Sequence, residues 1–152
     1  MKLAEALVLR ADIQSRIEQL RERLKSSAQV QEGDTPHEDP QALFAELDRL
    51  LGQLVLLIAQ INRTNLQTQL PDGRTLTDAL AQRDVLGMHH SVLKSVADKA
   101  SSKGDRYSRS EIRYVAMVDV GALRRQSDQL AQQRRALDTA IQAVNWATEL
   151  AE

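Results

Sequence analysis

Three polar groups interrupt long apolar stretches of the chain and hold the side chains best suited to chemistry. They are Asn62-Arg63-Thr64-Asn65, Arg83-Asp84 with His89-His90, and Arg106-Tyr107-Ser108-Arg109-Ser110-Glu111; Asn145-Trp146 forms a fourth. Arginine forks hold carboxylates and phosphates through paired, charge-assisted hydrogen bonds. An anion-binding site would therefore draw on Asn62, Arg63, Asn65, Arg83, Asp84, Arg106, Tyr107 and Arg109. The same residue types also cap helices and build buried polar networks, and they recur at subunit contacts. The structural use is the ordinary one, the ligand site its alternative.

Other chemistries find little. The chain has no cysteine, which excludes disulfides, thiolate metal sites and a cysteine nucleophile. No Gly-x-Ser-x-Gly elbow and no phosphate-binding glycine loop are present. Asp34 and His37 have the spacing used by carboxylate-bridged di-iron bundles, but they flank Pro36 in a loop. His89 and His90 are neighbours on a helix and point to different faces, so they cannot ligate one metal together. We therefore assign no catalytic residue, metal or cofactor, and the sequence leans away from an enzyme.

The elements that must position these groups are helices. Leu43, Leu47, Leu50, Leu54, Leu57 and Ile61 recur in steps of four and three, which places them on one stripe of a helix. Asp39 caps that helix with Pro40 at its first position. Phe44, Leu51 and Ile58 form a second column, which predicts the most buried helix of the set, and its periodicity dissolves at 62–65. A first helix over 2–27 carries Leu3, Ala6, Ile13, Ile17, Leu20 and Leu24, with Arg10 among them. A third, over 78–100 and capped by Thr75 or Thr77, turns Ala79, Arg83, Leu86, His90, Leu93, Ala97 and Ala100 inward. A fourth runs from an Asp119 cap to the end of the chain along Leu123, Leu130, Leu137, Ile141 and Val144. Its polar middle, Arg124 to Arg135, is an outer face or a subunit contact. Pro71-Asp72-Gly73 is a turn signal, and the alternation from Ile112 to Val118 reads as a strand that would pair with it.

Composition narrows the function classes. The 152 residues fit one domain, 1–152, large enough for a core without staples. With one Trp, two Tyr and one Phe, that core suits close-packed helices better than an aromatic ligand pocket. A formal charge of −1 argues against nucleic acid, whose binders need surplus cations. The charge is uneven, acidic over 31–48 and basic over 94–113, and the two stretches could attract within or between subunits. No secretion signal is visible, and the longest apolar run is far short of the ~20 residues that span a bilayer.

The strings Ile61-Asn62-Arg63-Thr64-Asn65, Asp72-Gly73-Arg74-Thr75-Leu76-Thr77-Asp78-Ala79-Leu80, Asp105-Arg106-Tyr107-Ser108-Arg109-Ser110-Glu111-Ile112 and Asn145-Trp146 resemble the septicolysin-like family of small bacterial proteins. The resemblance runs over the whole chain and implies no activity for any residue. The family name suggests a cytolysin, whereas the sequence has no spanning segment and no aromatic, basic amphipathic helix.

The expectation is a mainly α protein: an antiparallel four-helix bundle, coiled-coil-like in its spacing, with a small β element (hairpin plus strand) at one end. Its expected function is self-association as a homo-oligomeric binding protein of the bacterial cytoplasm. The alternative is a small-molecule or anion-binding protein using the arginine and asparagine cluster.

Overall fold

The computed structural model describes residues 1–102 and 112–152. Among them are four α-helices: α1 (Leu3–Ser27), α2 (Pro40–Gln67), α3 (Leu76–Ser101) and α4 (Val120–Ala147). The chain packs as two compact units, Met1–Thr68 with Ala143–Glu152, and Gln69–Gln142.

The first unit is the α1–α2 hairpin and the chain end that docks on it. Leu3, Ala6, Ile13 and Leu20 of α1 are buried, and Ile17 and Leu24 are half-buried. From α2, Leu43, Leu50, Leu57 and Ile61 are buried, with Leu47 and Leu54 half-buried. These are the expected stripes. Asp39 caps α2 by accepting the Gln41 amide N–H at 3.0 Å, ahead of Pro40.

Two details of α2 differ from expectation. The helix does not dissolve at 62–65 but continues to Gln67. The reason is non-local: Thr64, buried in the last turns, has its hydroxyl donating to the Gln60 carbonyl (2.8 Å) and accepting the Ala151 amide N–H (2.9 Å). Nor is the second column of α2 buried: Phe44 and Leu51 remain 49% and 42% exposed, and Ile58 is half-buried.

Helix α4 also departs from expectation, ending at Ala147 rather than at the chain end. Residues 148–151 turn back along the start of α1. The Leu3 amide donates to the Thr148 carbonyl and the Leu150 amide to the Met1 carbonyl, each at 2.9 Å. The tail thus satisfies one of the N–H groups that every helix leaves unpaired in its first turn. Lys2 Nζ reaches the Ala147 carbonyl (3.2 Å) and so caps the last turn of α4.

The second unit holds α3 and the larger part of α4. Ala79 and Ala97 of α3 are buried and Arg83, Leu86, His90, Leu93 and Ala100 half-buried, so the expected stripe faces inward with its arginine and histidine. Thr75 accepts the Asp78 amide N–H at 3.1 Å and caps the helix. Leu130, Leu137 and Ile141 of α4 are buried, with Leu123 half-buried; Val144, in the part of α4 that belongs to the first unit, is half-buried too. Asp119 accepts the Ala122 amide at 2.9 Å.

The expected β element does not form. Leu70 to Arg74 make the turn as read, with Gly73 at φ 88° where a side chain would be strained. Around it there is one isolated bridge, Gln69 with Thr75, and no strand occurs among the described residues. Alternation in 112–118 is real, but both of its faces lie in solvent: Tyr114 is 87% exposed and Val115 77%. A strand needs a paired edge and a buried face to be stable, and this segment has no strand beside it among the described residues.

Exposed ion pairs decorate both units and set an acid limit. Glu38 is held below the usual carboxylate range by its hydrogen bonds from Arg23, Asp72 by Arg74, Asp98 by Lys94 and then Arg124, and Glu149 by Lys2. A carboxylate with a depressed pKa in the folded state contributes stability above its unfolded value and loses it as the pH falls through the folded one. The melting temperature should therefore hold from neutrality to about pH 5 and decline below about pH 4, with Glu38→Gln flattening part of the decline. A melting temperature that rises on acidification would contradict these pairings.

Candidate functional site

The residues expected to form an anion site fall in both units. Asn62, Arg63 and Asn65 lie on the last turns of α2 in the first unit. Arg63 is exposed and donates to the Glu152 main-chain carbonyl at 2.8 Å, so it serves the docked tail. Asn62 is exposed and Asn65 half-buried. The buried residue of the group is Thr64, whose hydroxyl joins α2 to the tail. Arg83 and Asp84 lie on α3 in the second unit, and Arg106, Tyr107 and Arg109 lie outside the described residues.

Among the described residues of this set, Arg83 is the most tightly partnered. Its Nε and Nη2 donate to Asp84 (3.2 and 3.1 Å), and its Nη1 donates to Asp138 of α4 (3.1 Å). Partial burial works against its charge, but the bonds to Asp84 and Asp138 outweigh it, and its pKa is raised. Arg83 thus clamps α3 to α4, as a buried-facing arginine must if its charge is to be tolerated.

Beside this clamp lies a cavity of about 520 Å³ lined by Arg83, Arg134, Arg135, Asp138 and Thr139. The α4 arginines were not among the expected site residues, because the polar middle of α4 reads as an outer face. The available signal was Gly87, a glycine inside a helix, which lets the Arg134 side chain lie close: a Cβ there would stand 3.1 Å from Arg134 Nε.

Two more open grooves are largely apolar. One, of about 480 Å³, lies in the first unit against Leu9, Leu56, Leu57 and Leu150. The other, of about 470 Å³, lies in the second unit between the end of α3, at Val96 and Lys99, and Tyr114 to Val118. Among the described residues no group of three His, Asp or Glu side chains is placed to hold a metal. No described helix is long and apolar enough to cross a membrane.

A mainly helical chain with these features belongs to the family of unknown function DUF6847, which it matches over residues 10–150. It is similar to a functionally unknown conserved protein from Corynebacterium diphtheriae, known from a crystal structure. The two are 45% identical, with a TM-score of 0.93 over 99% of this chain and 98% of that one. No curated protein matches. These findings correct the septicolysin-like resemblance: neither the matching family nor the solved relative carries that description.

Proposed function

We propose that this chain is a bacterial cytoplasmic interaction protein, a single domain over residues 1–152, that associates with a second copy of itself through the outer face of α2. The observation that carries this reading is the stripe Phe44, Leu51, Val55, Ile58, Asn62, Leu66, exposed at every position but Ile58, which is half-buried. Its steps of seven, four, three, four and four hold it on one face of the helix. Val55 and Leu66 are 68% and 64% exposed, and Phe44 is half exposed. The stripe runs about 33 Å at ~1.5 Å per residue, with Asp48 and Asn62 among its apolar side chains, and exposed apolar residues grouped on one face and rimmed by polar ones mark an interaction site.

The stripe is also complementary to itself. In a two-fold arrangement of antiparallel α2 helices centred on Val55, Phe44 meets Leu66 of the partner subunit. Asp48 then meets Asn62 of the partner subunit, whose side-chain amide can donate to the carboxylate. Self-complementary patches of this kind build two-fold dimers. The shorter exposed stripe of α3, Val85, Met88, Val92 and Val96, ends instead in the groove shared with 114–118 of its own unit.

The absence of native cysteine permits a clean test. Mild oxidation of Val55→Cys should give a disulfide-linked dimer at low protein concentration, because the introduced thiols face each other across the axis. Val92→Cys should link far more slowly. A Val55→Cys chain that stays monomeric, or links no faster than Val92→Cys, would remove the proposal.

A further inference from the structure

The cavity beside the Arg83 clamp carries a second assignment that does not depend on self-association. Arg83 spends its guanidinium nitrogens on Asp84 and Asp138. The side chains of Arg134 and Arg135, which line the same cavity, make no hydrogen bond or ion pair within the described residues. Asp138 stands one turn beyond Arg134, the usual position for an ion pair on a helix. Its carboxylate turns to Arg83 instead, at 3.1 Å, and leaves Arg134 without a counter-charge. Thr139 Oγ1 donates its proton to the Arg135 carbonyl (3.0 Å) and has only lone pairs left to offer. The free donors of the cavity are therefore two guanidinium forks; Arg134 and Arg135 are neighbours on α4, but their side chains are long enough for both to line the same cavity, as short imidazoles on adjacent positions could not.

Gly87 helps to build this arrangement. Arg134 Nε and Cζ lie 3.1 and 3.4 Å from where a Cβ of Gly87 would stand, so the bare α3 backbone gives the guanidinium its seat. A glycine inside a helix costs stability relative to alanine, and here the close approach of Arg134 is what it permits.

We infer that Arg134 and Arg135, seated against Gly87 and backed by the Arg83–Asp138 pair, form a binding site for a phosphoryl dianion. A carboxylate offers two oxygens and one charge, enough for a single fork. A phosphoryl group offers three terminal oxygens and about two charges, enough for both. The site is assigned to this class of ligand, whether free phosphate or the phosphoryl group of a small organic monoester.

The test is calorimetric titration of the full chain with inorganic phosphate, glycerol phosphate and acetate, repeated on variants. Saturable binding of phosphate or the monoester is expected, with acetate weaker. Whichever of the two phosphoryl probes binds more tightly identifies the source. The double variant Arg134→Ala, Arg135→Ala should lose about tenfold or more in affinity while keeping its melting temperature. Arg125→Ala, which removes an arginine of α4 outside the cavity, should bind as the wild type does. Gly87→Ala supplies a readout that a merely structural role would not give: a higher melting temperature together with weaker phosphate binding. No saturable binding of either phosphoryl probe by the wild type would overturn the assignment. So would an affinity that survives loss of both arginines or falls equally in Arg125→Ala.

Discussion

Leu50→Ala is expected to cost the fold about 2–5 kcal/mol, whereas Leu51→Ala, one residue along, is expected to cost the isolated protomer well under half of that. Both positions are leucines in the middle of α2, equal in helix propensity and about 100° apart around its axis. Leu50 is completely buried in the α1–α2 hairpin, on the stripe that includes Leu43 and Leu57. Truncating it removes the transfer energy of the lost carbons and leaves a cavity that close-packed neighbours fill only in part. Leu51 is 42% exposed and leaves no enclosed void. At about 2–4 °C per kcal/mol for a domain of this size, the first variant should melt on the order of 10 °C below the wild type. Chemical denaturation of both variants checks this, at a concentration low enough to populate single protomers. Equal destabilisation would mean that the buried face of α2 has been misassigned.

Val55→Glu is expected to do the converse, leaving the protomer folded and abolishing its association. Val55 is 68% exposed, so a glutamate there meets water and strains nothing in the protomer. In the proposed dimer the same position lies on the two-fold axis, where two carboxylates would confront each other inside an apolar contact. Burying charge without a partner costs several kcal/mol, and like charges add to it. A dimer held by one helix face has no reserve of that size, and its dissociation constant should rise by several orders of magnitude. Val92→Glu adds the same charge to the exposed stripe of α3 and should leave association intact.

The buried stripes of all four helices were legible from apolar spacing, down to the inward positions of Arg83 and His90 on α3. Caps at Asp39, Thr75 and Asp119 were legible too, because capping is a local contract between a side chain and amides two or three residues on. What escaped was decided by distant parts of the chain. Helix α2 runs through its asparagines because Thr64 grips Ala151, and nothing near Thr64 announces the tail. The alternation of 112–118 is a correct pattern without a partner strand, so it describes a propensity and not a structure. Phe44 and Leu51 were read as buried because a second apolar column usually is; packing leaves them in solvent, and that error became the observation on which the proposed function rests. The candidate site was legible only at Arg83 and Asp84. Its α4 half was hidden because exposed arginines on a polar helix face look alike until one of them is found against a glycine.

The central claim, association of two copies through α2, is tested most directly by the solution mass of the wild type and Val55→Glu, measured by light scattering across a dilution series. The account predicts a wild type that approaches twice the 17.0 kDa of one chain as concentration rises, and a Val55→Glu variant that stays at the single-chain mass throughout. A wild type at 17.0 kDa across the whole series, or a variant as dimeric as the wild type, would contradict it.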